Sequence, residues 1–551
     1  MNREERGGEV PSPDMHENDP SEEFKDFGFK PYFPEINDVV RSLLYKMHFK
    51  TLRENETDNE SIYLYIEPDY KLEIIQGQPV YSNELRNPEI AGIYTRDESE
   101  IKAIIEKEYM QILKDMLKMT EKYEAPDEEE AKEKQKIIHK LNYKIKRIGI
   151  KNSEIKEIMN AIRRKTFIDR TEINPNSHIP LRSGLLNVKT WRIENFSSTK
   201  FYTYKIQGDY DPNITSLNDI PRFRDLLLSA FQPFYAVTIL DYFAYCYYTA
   251  YPRQKVLMMA GIHRRGKGTL TRIIQYSMPQ GFRRIELEKL LNPDNKFSLQ
   301  GIEGKKVLVD FEIARDSKRR MSFTRFNSLF GGDTLDMEEK YKISHDIVGK
   351  FAGILIGNVP LFYVNDSAFL SRLLIVVSEP EPITTDIPDL DKAIWSQEGS
   401  KIVAFLLNRL RSLVNRNFKF ANEQTYDETA NLWHLLSDSV QIFLEQNYVE
   451  DEGSYVLEEL AYEHYKLFCA KLGLVPESQH TFAFKFGRTF PRKRLRINKE
   501  LTPVFYNCAC IINAPDSKDK KTKQNDPEDK PEGHYPKDMF GNDITPDDLG
   551  L

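Results

Sequence analysis

Lys267 is the residue from which the chemistry of this chain is best read. It follows Gly266, stands six residues after Gly261, and opens a segment in which Leu270, Ile273 and Ile274 recur at helical spacing. The apolar run Val256 to Ala260 precedes the loop, so the order is strand, glycine-bounded loop, lysine, helix. In that arrangement the loop N–H groups surround nucleotide phosphates, the helix N-terminus faces their charge, and the lysine reaches the β/γ oxygens. Gly261, Gly266, Lys267, Gly268, Thr269 and Leu270 are the expected contacts to ATP. The position after the lysine usually supplies a hydroxyl to Mg²⁺. Here it is Gly268, and the hydroxyl role passes to Thr269.

Two carboxylates come next. The segment KKVLVDFE, Lys305 to Glu312, reads as a buried strand ending in Asp310 and Glu312. At i and i+2 on a strand the two point to one face. That spacing suits Asp310 to hold Mg²⁺ and Glu312 to polarise an attacking water. A further apolar strand, KFAGILIGN, ends at Asn358 just before Val359-Pro360, where an amide could orient that water. Lys267, Asp310, Glu312 and Asn358 therefore form the expected catalytic set.

These residues need a scaffold, and 551 residues with 40% hydrophobic content supply enough core for several domains. Residues 1–35 carry ten acids against four Lys/Arg, and residues 514–551 ten acids against six lysines, leaving about +3 on the body of a chain whose net charge is −7. Both ends have the composition of disorder. The four cysteines are too scattered for a disulfide framework or a zinc site, which suggests a reducing, cytoplasmic setting. No stretch reads as a secretory signal or a membrane span. In the N-terminal half, IYLYIEPDYKLEIIQG suggests a hairpin turning at Pro68-Asp69. Ser99 to Lys122 and Ala131 to Arg147 have helical patterns. INPNSHIPLRSGLLNVKTW reads as turns and short strands, and the aromatic run from Phe223 to Thr249 as buried helices whose rings pack rather than stack on bases. Near the C-terminus, DSVQIFLEQ, LEELAYEHYKLFCAKL and HTFAFKFGRTF read as three amphipathic helices. They lead into a basic turn and two strands, the order of a winged helix. Lys485, Arg488, Arg492, Lys493, Arg494 and Arg496 make the densest basic cluster in the chain, as phosphate contacts require.

Taken with GGDTLDMEEKYK (Gly331 to Lys342) and NDSAFLSRLLIVV (Asn365 to Val377), these strand ends resemble the superfamily 3 helicases, closest to the poxvirus, phage and plasmid primase-helicase group. The resemblance covers most of residues 35–513. It implies an α/β fold: an AAA+ P-loop ATPase core at 221–400, an α+β N-terminal domain at 35–220, and a helical linker with a winged-helix domain at 401–513. Acidic tails at 1–34 and 514–551 flank them. It also implies a homo-oligomeric ring, a hexamer, with ATP and Mg²⁺ at each subunit interface and Arg372 reaching a neighbour's γ-phosphate. Lys340, Tyr341, Lys342 and His345 would lie at the tip of a pore hairpin that grips one DNA strand.

The expected function is an ATP-dependent replicative DNA helicase of a virus, plasmid or other mobile element. It would act on single-stranded and forked DNA, and move 3′→5′ by family resemblance. The alternative is a nucleotide-switched origin-binding or helicase-loading protein, against which Asp310 and Glu312 speak. Priming is expected to reside in a separately encoded primase or polymerase. The one tempting N-terminal carboxylate pair, Asp209 and Asp211, sits in a GDYDPN turn.

Overall fold

The computed structural model describes residues 30–52, 61–66, 68, 71–75, 78–82, 89–148, 150–313, 321–338, 344–358, 364–379, 387–472, 474–497 and 500–511. The expected acidic tails lie outside these apart from residues 30–34, as do Lys340, Tyr341 and Lys342.

The chain divides into two compact units, and the division falls after Ile168, not near residue 220. The first unit contains the helices Ile36–Lys46, Glu98–Lys122, Glu128–Tyr143 and Asn152–Arg163. Asp97 starts the second of these by accepting the N–H of Ser99, which satisfies one of the donors a helix start leaves open. Val39, Leu43, Ile101, Ile105 and Ile158 are fully buried in it. The strand Phe49–Leu52 pairs antiparallel with Ile62–Tyr65 and parallel with Phe167–Ile168. Asp69 of the expected Pro68-Asp69 turn lies outside the described residues, and among the described residues the flanking strands do not pair with each other. Ile62–Tyr65 pairs upstream, and Lys71–Ile75 pairs instead with Gln78–Ser82. Alternation alone cannot name a strand's partner.

The second unit explains the shifted boundary. Ile179, Leu181, Ile206 and Leu217 share one core with the strands of the central parallel sheet, so residues 169–220 belong with those strands. Two helices lead in, α1 (Pro221–Ala230) and α2 (Pro233–Cys246), each opened by a proline whose missing N–H costs a first turn nothing. All but Pro233 of α2 is buried. Its aromatic rings are core, and the Tyr242 and Tyr245 hydroxyls bond the carbonyls of Lys255 (2.9 Å) and Arg253 (2.8 Å). Truncating one such ring to alanine costs on the order of 3–5 kcal/mol.

The central sheet is built from β1 (Val256–Ala260), followed by helix α3 (Lys267–Ser277), then β2 (Phe282–Arg284), the short helix α4 (Leu287–Leu291) and β3 (Val307–Ile313). Helix α5 (Thr324–Leu329) and the antiparallel hairpin β4 (Thr334–Met337) and β5 (His345–Val348) intervene. β6 (Ala352–Gly357), α6 (Ser367–Ser371) and β7 (Leu373–Val377) complete it. The strand order is β2-β3-β6-β1-β7, all parallel. β1, β6 and β7 are buried at every residue, which is why they read as unbroken apolar runs.

A 26-residue helix, α7 (Leu390–Asn415), runs through the boundary expected at 400. After α8 (Tyr426–Ser437) come α9 (Ser439–Asn447), β8 (Tyr448–Leu457), α10 (Glu458–Lys471), α11 (Gln479–Thr489), β9 (Arg492–Ile497) and β10 (Glu500–Cys510). The three strands form one antiparallel sheet, β8-β10-β9. The three expected helices are present. The sequence reading lacked β8, whose mostly exposed, acidic residues hide its pairing with β10. The supposed basic turn is itself a strand, β9.

Candidate active site

Parallel strands bring their C-terminal ends to one edge, and loops at such an edge are where α/β sheets bind ligands. Ala260 pairs with both Gly357 and Val377. The loop after Ala260, Asn358 after β6 and Ser378 after β7 are therefore neighbours. Asp310 pairs with Leu355, one strand further along the same edge.

The loop itself is tightly turned. Gly261 (φ +135°), Arg264 (φ +57°) and Gly266 (φ +78°) adopt positive φ, the conformation from which anion-binding turns are built. A side chain at Gly261 would collide with Ser378 Oγ, and one at Gly266 would come within 2.9 Å of Leu226 on α1. Lys267 is 4% exposed, and its ammonium bonds the carbonyls of Gly261 (3.1 Å) and Ile262. Burial pushes its pKa down to about 8, and the Arg265 charge adds to the effect. Ser378 Oγ is buried beside the loop with no hydrogen-bond partner among the described residues. A buried ammonium and an orphaned hydroxyl, beside a glycine-bounded turn that opens a helix, fit a phosphate chain. Leu270 does not belong to the contact set. Its N–H bonds Gly266 and its side chain is in the core.

The oxygens expected for Mg²⁺ are engaged elsewhere. Thr269 Oγ1 accepts from Arg272 Nη2 (3.3 Å), and Arg272 Nε bonds Asp391 on α7 (2.6 Å). Asp310, 4% exposed, accepts the N–H of Leu287 with one oxygen (2.7 Å) and that of Glu312 with the other (3.0 Å). Burial holds its pKa above the usual carboxylate range, against those two amides. Glu312 does not share its face. The register of β3 against β6 slips by one residue between Asp310 and Ile313, a bulge that leaves Asp310 buried and Glu312 exposed. The donor set as folded does not fit the metal.

Arg372 lies at the opposite edge. Its carbonyl accepts the N–H of Val256, the first residue of β1, so the five residues of β1, about 16 Å, separate it from its own loop. It is in the turn before β7, with Nη1 on the Ala368 carbonyl (2.7 Å), and its guanidinium lies beside Gly331 of the GGD segment. His345 begins β5 and, paired with Met337, closes the hairpin ladder beside its loop, but its side chain is 7% exposed and 3.6 Å from the Glu303 carboxylate.

No protein-family model and no curated protein matches the sequence. Among solved structures, the apo structure of the NrS-1 C-terminal region aligns over 85% of this chain and 98% of that one, at 11% identity and a TM-score of 0.39. The A form of the same region covers the same shares at 9% identity and a TM-score of 0.35. JCV helicase bound to a thiazolopyridine acetamide aligns over 41% of this chain and 62% of that one, at 14% identity and a TM-score of 0.23. Superpositions this loose leave the reading of the site to its own residues.

Part of the expected DNA surface is spent inside the fold. Lys485 bonds Asp438 (3.2 Å) and Glu477 (3.3 Å), Arg492 pairs through two nitrogens with the buried Glu458, and the Lys493 ammonium lies 3.7 Å above the Tyr506 ring. Arg488, Arg494 and Arg496 are exposed, as is Phe484 at 66% on α11. Sequence reasoning missed Phe484 because HTFAFKF gives three phenylalanines, of which Phe482 and Phe486 are core. It also missed the support around the loop. Glu398 of α7 accepts the N–H groups of Arg222 and Phe223 (both 2.9 Å), which fixes the start of α1 against Gly266. Nothing local in the sequence links residue 398 to 222.

Proposed function

We propose that this chain is an ATP-hydrolysing DNA helicase of the superfamily 3 type, working as a homo-oligomeric ring, a hexamer, on single-stranded and forked DNA. The observation that carries the reading is the division of the sheet's two edges. The phosphate-cradling loop, Asp310, Glu312 and Asn358 share one edge, and Arg372 lies at the other. An arginine about 16 Å from its own loop supports action on the loop of another copy.

In this reading the loop N–H groups and Lys267 hold the β and γ phosphates, and Ser378 adds a hydroxyl beside them. Asn358 orients a water. Glu312, exposed at the end of β3, accepts its proton, while Asp310 holds the strand end to α4 through its two amide bonds. Arg372 from a neighbour stabilises the charge that develops on the departing phosphoryl group, which ties each hydrolysis to the position of the next subunit. The hairpin β4–β5 would carry the strand-gripping loop, and 3′→5′ movement follows from the family resemblance alone. The element order α9-β8-α10-α11-β9-β10 supports a winged helix whose Arg488, Arg494, Arg496 and Phe484 face duplex DNA. The intact carboxylates favour a motor over a loader.

DNA-stimulated phosphate release and unwinding of a forked duplex test the reading together. Lys267→Ala should lower both by about a hundredfold or more with circular dichroism unchanged. Hydrolysis near the wild-type rate in that variant would remove the loop from the active site.

A further inference from the structure

The same loop differs in one respect from what a metal-dependent phosphate site needs. Two side chains were expected to serve Mg²⁺, directly or through water, and both are engaged: residue 268 is glycine, the Thr269 hydroxyl accepts from a cation, and both Asp310 oxygens accept backbone N–H groups. The loop has gained cations instead. Between Gly261 and Lys267 stand His263, Arg264 and Arg265, and two arginines carry the charge of one divalent ion. Arg265 is 8% exposed and close enough for Lys267 to feel its charge. Arg264 is exposed and holds φ +57°, a conformation a non-glycine residue adopts at a cost.

We infer that this loop neutralises a nucleoside triphosphate with its own arginines, so that the nucleotide binds with little contribution from a divalent cation. The inference rests on the nucleotide-site reading above and specifies how that site balances charge. Guanidinium groups suit the task, since they stay ionised and present several donors to phosphate oxygens in a fixed plane. A motif lysine alone leaves part of the triphosphate charge uncompensated, and a hydroxyl-held Mg²⁺ normally completes it. Here the hydroxyl is missing where the arginines are present.

The test is fluorescence titration of the full chain with N-methylanthraniloyl-ATP, in excess Mg²⁺ and in EDTA. Wild-type affinity should differ by no more than about threefold between the two conditions. Arg264→Asn keeps a residue tolerant of positive φ, and should lose about tenfold in EDTA and less in Mg²⁺. Gly268→Ser restores the usual hydroxyl, and the nearest atom to the new Cβ is Arg272 Nη1 at 3.3 Å, on a half-exposed side chain. In that variant Mg²⁺ should tighten binding by about tenfold. Wild-type binding that collapses in EDTA would overturn the inference and leave the nucleotide site standing, whereas absence of binding in both conditions would overturn both. A Gly268→Ser variant as indifferent to Mg²⁺ as the wild type would also sink it, because the missing hydroxyl would then decide nothing.

Discussion

Lys485 and Arg494 differ in surroundings, not in charge. Lys485 sits between two carboxylates and staples α11 to α9 and to the loop before α11, while Arg494 projects from an open strand. Lys485→Ala should therefore lower the melting temperature and leave duplex affinity within about twofold, since partly exposed ion pairs contribute about 0–1 kcal/mol. Arg494→Ala or Arg496→Ala should do the reverse. Each should weaken duplex binding and reduce the slope of log K against log salt by about 0.9 per lost phosphate contact. Fluorescence anisotropy across a salt series separates the two classes, and a Lys485 variant with the shallower slope would return that residue to the DNA surface. At the catalytic edge, Glu312→Gln should bind nucleotide normally and hydrolyse it at least about a hundredfold more slowly, because the amide cannot take the proton. Filter binding beside phosphate release checks it, and normal turnover would move the base elsewhere.

Elements decide what residues cannot. The bulge in β3 places Asp310 and Glu312 on different sides, so a pair of carboxylates two apart becomes one buried anchor and one exposed carboxylate. At the other end of the same segment Lys306 is fully enclosed, its ammonium on the Ala250 carbonyl (3.0 Å) and 5.6–5.7 Å from the Tyr245 and Tyr251 ring centres. Burial pushes its pKa down to about 7. The unfolded chain then holds one more proton than the native state between pH 7 and the ordinary lysine range. The destabilising effect of the buried charge is complete below pH 7 and is relieved as pH rises toward 10.5. Lys306→Met should accordingly raise the melting temperature by about 3 °C or more at pH 6.5, with the gap to wild type closing toward pH 10. A gap that stays constant or widens would mean that the lysine is not held neutral in the fold.

At the scale of the whole molecule, the distance from Arg372 to its own loop is the basis for the proposal that a neighbouring copy completes the site. Neither Lys267→Ala nor Arg372→Ala should hydrolyse ATP alone, but a mixture should recover part of the activity, because a mixed interface can pair an intact loop with an intact arginine. Phosphate release measured across mixing ratios gives the answer. No recovery at any ratio would assign Arg372 a role within its own subunit.

The loop, its lysine, the carboxylate strand and the asparagine strand end were legible from residues alone. Each is a local pattern of type and spacing, and parallel buried strands announce themselves as unbroken apolar runs. The three C-terminal helices were legible for the same reason, through their periodicity. What the tertiary structure decided was partnership, which is set by contacts far apart in sequence. It settled which strand Ile62–Tyr65 pairs with, that residues 169–220 share a core with the parallel strands, and that the β3 register slips past Asp310. It also decided which charges remain available. Lys485, Arg492 and Thr269 match their expected roles by type, yet Asp438, Glu458 and Arg272 had already engaged them, and a sequence does not state which neighbours folding will bring.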